Sequence, residues 1–98
     1  MAKRKAKQKA ELRLVLLAML QGAEGGRFEE ESKIGIFRYM GKESTSRFFE
    51  ALQARYGIDC SCESKDKRAI LITNMFDIVI PKSIDELVDV CYEYGFRA

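Results

Sequence analysis

A chain of 98 residues with three cysteines, no histidine and a net charge of +2 is one domain's worth of sequence, expected to span 1–98 as a single unit. Without histidine, Ser-His and Cys-His nucleophiles are excluded and the commonest metal ligand is missing. The scattered glycines form no phosphate-cradling loop, so neither an enzyme nor a cofactor is expected. No apolar run approaches the ~18 residues of a membrane span, and an odd cysteine count without framework spacing points to a reduced, cytoplasmic setting.

The first helix is expected from about Arg4 to Gln21, built from Ala, Lys, Gln, Glu and Leu. Leu12, Leu16, Met19 and Leu20, widened by Val15, form its apolar stripe. Lys5, Lys9 and Arg13 recur every fourth residue as a basic ridge. Residues 1–10 read as a basic arm or an extension of this helix. Gly22, Gly25 and Gly26 break it.

Phe28 to Met40 reads as a second helix, with Glu29, Glu30 and Glu31 at its dipole-favoured start and Gly41 as its stop. Lys33 to Met40 also reads as a strand. A third helix, capped by Ser44 or a neighbour, ends at Gly57. Phe48, Phe49, Leu52 and Tyr56 line its apolar face, opposite Glu43, Ser46, Arg47, Glu50 and Gln53.

The period then changes to two. Ile58, Cys60 and Cys62 alternate with Asp59, Ser61 and Glu63, and Ser64 to Lys67 turns the chain. Arg68 to Thr73 reads as a second strand with Ile70 and Ile72 on one face, and Phe76 to Ile80 as a third. Pro81 closes the sheet. Ser83-Ile84-Asp85-Glu86 is a capping box opening a final helix, with Ile84, Leu87, Val88 and Cys91 as its buried stripe and Gly95 as its end. Cys60 and Cys62 share a strand face. With Cys91 they would be a three-thiol metal set, but they lack the usual ligand gap, and buried small hydrophobes are the expectation.

The expected fold is therefore α+β: three N-terminal helices, an antiparallel β-hairpin or three-stranded sheet, and a C-terminal helix. It resembles the winged-helix domain, in particular the DeoR-like helix-turn-helix class of transcriptional regulators, over about Leu12 to Thr73. The carriers are the apolar "LRLVLLAML", the link "GGRF", and "YMGKESTSRFFEALQARYGI" running into the wing. On this resemblance residues 12–73 are the winged-helix-like core, and 74–98 add the third strand and last helix. It implies a recognition helix in the major groove. There Ser44, Thr45, Ser46 and Arg47 would meet bases and phosphates, Lys42 would stand at the turn, and Lys65, Lys67 and Arg68 at the wing tip would grip the flanking backbone.

Charge is unevenly spread. Residues 1–13 carry six basic side chains (Lys3, Arg4, Lys5, Lys7, Lys9, Arg13) against one acid, and residues 74–98 carry two basic against five acidic. A basic start suits phosphates and adds salt-dependent affinity. The first functional expectation is thus a small regulator binding double-stranded DNA, of phage or mobile-element type because no sensor domain follows the wing. The long first helix would suit a homodimer. The second is a module or inhibitor that binds another protein. It rests on the acidic last helix (Asp85, Glu86, Asp89, Glu93) and on the near-neutral middle of the chain; Glu43 and Glu50 on the reading face, which repel phosphate, depart from the winged-helix pattern.

Overall fold

Four helices make up the described fold: α1 (Ala2–Ala23), α2 (Ile36–Tyr56), α3 (Lys67–Asp77) and α4 (Ile84–Glu93). The computed structural model describes residues 2–26, 28, 35–61, 63–77 and 81–98.

α1 buries Leu12, Leu16, Leu20 and Ala23 along one line, the i, i+4 recurrence that a helix turns to a single side. It ends where Gly25 (φ 64°) and Gly26 (φ 85°) take the left-handed backbone and the Gly26 N–H donates back to the Gln21 carbonyl at 2.7 Å. Gln21 Nε2 then donates to the Phe28 carbonyl at 2.9 Å, tying the following segment to the helix.

α2 is not one straight rod. Gly41, at φ 81° and ψ 174°, breaks the helical backbone inside it. A break leaves carbonyls of the preceding turn without amide partners. The Thr45 hydroxyl sits at the break, its one hydrogen directed mainly at the Gly41 carbonyl (2.6 Å), with the Phe37 carbonyl of the preceding turn at 3.3 Å. The stop expected at Gly41 is therefore a kink between a short turn and a long helix. Beyond it, Phe48, Phe49 and Leu52 are buried, and Gly57 caps the end in the left-handed region with its N–H on the Gln53 carbonyl. Of the expected second helix, only its last residues from Ile36 are seen as helix. Residues 29–34, and the strand alternative for Lys33 and Ile34, lie outside the described residues.

Between α2 and α3, residues 58–61 form no strand, and Cys62 lies outside the described residues. Asp66 starts α3: its carboxylate accepts the Arg68 backbone N–H at 2.9 Å and its carbonyl accepts the Ile70 N–H at 3.1 Å. Arg68 Nη2 lies 3.1 Å from the same carboxylate. The Arg68 side-chain hydrogen bond, then its backbone N–H, hold the Asp66 carboxyl below its ordinary value of 3.8. A lowered folded value means the contribution is present above pH 3.8 and fades as pH falls through the folded value. Asp66→Asn, which keeps a capping side chain but does not titrate, is expected to remove this component. The check is urea midpoints of both proteins from neutral pH to about pH 2; parallel curves would refute it.

The α+β expectation is corrected by α3. Residues 67–77 are helical, and among the described residues there is no strand. An alternating strand would put Ile70 and Ile72 on the same side. Instead Ile70 is 43% exposed while Ile72 is 1% exposed, and Ala69, Leu71, Ile72 and Met75 are buried together. That is helical recurrence in a segment that also holds the β-branched Ile70, Ile72 and Thr73, with packing overriding a weak intrinsic preference. The hairpin, the wing and the winged-helix core over 12–73 go with it. Of the expected third strand, Phe76 and Asp77 are the end of α3, and residues 78–80 lie outside the described residues.

α4 forms as its capping box requires. Ser83 Oγ accepts the Glu86 N–H at 3.1 Å, and Glu86 Oε2 reaches back to the Lys82 N–H at 2.7 Å. Past its end, Gly95 (φ 100°) lets Phe96 fold inward, its N–H on the Cys91 carbonyl at 3.0 Å. Phe96 is fully buried, edge-on to Tyr56 at 4.9 Å between ring centroids. α1 packs against both α4 and α2. The buried cluster draws on all four helices, and each fully buried Leu, Ile or Phe removes apolar surface worth about 1.5–3 kcal/mol.

Candidate interaction surface

The basic ridge of α1 is not left unpaired. It runs antiparallel to an acidic ridge on α4, and the four-residue spacings match. Lys5 Nζ lies 3.9 Å from Glu93 Oε1, Lys9 Nζ donates to Asp89 Oδ1 at 2.8 Å, and Arg13 Nε lies 3.4 Å from Asp85 Oδ1. Between the first two rungs the Tyr92 hydroxyl donates to Gln8 Oε1 at 2.8 Å. The Tyr92 ring gathers cations: Lys5 and Lys9 Nζ at 5.6 and 5.4 Å, and the Arg97 guanidinium at 3.8 Å from its centroid. The rungs are solvent-facing, so each contributes only about 0.2–1 kcal/mol. Their importance is local charge balance: Lys5 and Lys9, two of the N-terminal cations expected to meet phosphate, already stand beside carboxylates.

Lys3, Arg4 and Lys7, by contrast, are exposed and make no ion pair with a described residue.

The residues expected on a reading face are also differently occupied. Arg47 Nε donates to the Ala23 carbonyl at 3.1 Å, satisfying the C-terminal end of α1, and its Nη2 donates to Ser44 Oγ at 3.1 Å. Ser44 is buried, and Thr45 serves the kink. Arg68 is turned onto Asp66 at the start of α3 rather than standing on a hairpin tip. Lys65 and Lys67 are exposed beside it. Only Lys42 and Ser46 of the α2 set, with Thr45 between them, border an open concavity.

That concavity is formed by the kink. Breaking α2 at Gly41 separates its two parts and leaves a groove of about 420 Å³ between the break and the C-terminal half of α3. Phe37 and Met75, both almost fully buried, make its floor, while the exposed Arg38 and Lys42 stand at its rim with Thr45 and Ser46. No acidic residue is among the described residues lining it. The long part of α2 begins here, so the positive end of its dipole adds to the two cations. Arg38, Phe37 and Met75 were not anticipated from sequence. No sequence spacing pointed to Arg38, because Gly41 interrupts the helix between it and Lys42.

Among the described residues the thiols supply no site. Cys60 and Cys91 are free; burial pushes the Cys91 thiol up to about 12, and partial burial with Asp59 and Asp66 nearby raises that of Cys60. Such thiols are poor nucleophiles and poor ligands. No cluster of three or more Cys, Asp or Glu among the described residues has metal-holding geometry. No helix among them is long and apolar enough to cross a membrane.

Comparison of the chain with family models, with curated proteins and with solved structures gave no match.

Proposed function

We propose that this protein is a small helical module that binds another protein, and that the groove at the Gly41 kink is where it does so. The observation that carries this reading is the contrast between the two basic surfaces. The α1 ridge is balanced by Asp85, Asp89 and Glu93, whereas the cations at the kink flank an apolar floor with no carboxylate in the lining. An apolar concavity bordered by a few polar groups is the general form of a recognition site. Duplex DNA would need a continuous cationic face, and Arg47, the side chain best suited to read guanine, is engaged with α1. Free Cys60 and Cys91 suit work in a reducing compartment such as the cytoplasm.

A photo-crosslinking side chain at Ser46, on the groove, should capture a discrete protein from nuclease-treated host lysate. The same group at Ala54, exposed on α2 away from the groove, should not. Identical products from the two positions, or products lost with the nucleic acid, would overturn the reading.

A further inference from the structure

The groove's charge and shape say more about its occupant, on the premise that it is a protein site. We infer that it takes an acidic peptide segment that inserts one bulky apolar side chain and sets carboxylates against Arg38 and Lys42. Three features converge. The floor of Phe37 and Met75 is apolar, and the volume of about 420 Å³ admits a large side chain of a partner. Both charged residues in the described lining are cations, they are exposed, and neither makes an ion pair with a described residue. The backbone beyond Gly41 begins a helix, whose first amides and dipole favour an anion at that end. Glu43, on the same turn, is exposed but not part of the lining.

These features select against the other occupants. A basic peptide would bring like charges to Arg38 and Lys42, which costs affinity as surely as complementary charge gains it. A phosphate backbone would satisfy the cations but leave the apolar floor unfilled. An acidic segment with an apolar anchor uses both, the anchor supplying affinity and the carboxylates orientation and approach rate.

The test uses the intact protein and two synthetic peptides identical in length and in their Leu and Phe anchors. One is flanked by glutamates and the other by lysines. Binding is followed by amide-resolved NMR titration at low salt. The acidic peptide should shift the amides of residues 37–46 and Met75, and bind about tenfold more tightly than the basic one, as two solvent-facing charge pairs allow. R38E/K42E should reverse the order of the two peptides, with an unchanged circular dichroism spectrum because both side chains are exposed. R4E, a charge reversal on the far end of α1, should leave the order as in the wild type. Equal binding of the two peptides, shifts centred elsewhere, an order indifferent to R38E/K42E, or duplex DNA moving the same amides as strongly would overturn the proposal. The first and third outcomes with the shifts still at the groove, alongside positive Ser46 crosslinking, would overturn the acidic preference while leaving the groove a protein site. Negative crosslinking would remove the site itself.

Discussion

Phe48→Ala is expected to lower the free energy of unfolding by about 3–5 kcal/mol, a large part of the ~5–15 kcal/mol that domains of this kind possess. Phe48 is fully buried in a triad with Phe37 and Phe49, at centroid separations of 5.6 Å to Phe37 and 5.5 Å to Phe49, with 5.2 Å closing the triangle. Truncation loses the transfer energy of a ring, opens a cavity the neighbours fill only in part, and removes two ring–ring contacts worth about 0.5–1.5 kcal/mol each. The triad spans the kink, with Phe37 before Gly41 and the other two rings after it. Loss of Phe48 therefore also loosens the angle that opens the groove. Urea unfolding should show a lower midpoint with an unchanged slope. A loss below about 1 kcal/mol would mean that the three rings do not hold the two parts of α2 together.

Arg47→Ala, one residue away, is expected to cost about 1.5–3 kcal/mol for a different reason. The guanidinium is a charged donor to the Ala23 carbonyl and to Ser44 Oγ, so its removal leaves a helix end and a buried hydroxyl short of partners. Arg47→Lys should recover only part of this, because a single ammonium does not reproduce the guanidinium fork. The experiment separates the structural role from a base-reading one. If Arg47 holds α1 to α2, Arg47→Ala lowers the urea midpoint and changes residual duplex binding no more than Arg4→Ala does. Full stability with a selective loss of duplex affinity would reverse that assignment.

Both ends of the chain were legible from local pattern. The leucine recurrence from Leu12 to Leu20 gave α1 because apolar residues returning every fourth position, about one helical turn, are hard to mistake over so long a stretch. The capping box at Ser83 gave α4 because it is a reciprocal hydrogen-bond pattern written in four consecutive residues. The middle was not legible in the same way. Arg68 to Thr73 is rich in β-branched residues, and alternation over six positions does not distinguish a strand from a buried helix. The capping signal is Asp66, which lies in the polar stretch from Ser64 to Lys67 and in the structure opens α3. The resemblance to a winged helix depended on that hairpin and is not supported once it is helical. The interaction surface was hidden more deeply. Sequence showed where cations lie, but not that Lys5, Lys9 and Arg13 stand opposite Glu93, Asp89 and Asp85. Which charges remain available is a property of helix pairing, not of spacing.

The matched rungs of α1 and α4 join residues more than seventy positions apart. During synthesis the leucine stripe of α1 emerges well before the helix that will lie beside it, and two other helices are made in the interval. Docking of α4 must then wait for closure of a loop of more than seventy residues, a slow event compared with forming either helix alone. Each ridge carries one sign at one spacing, so its charges would pair in either direction and almost as well after a one-turn slip; the salt links draw the two helices together, while the fit of their apolar stripes sets direction and registration.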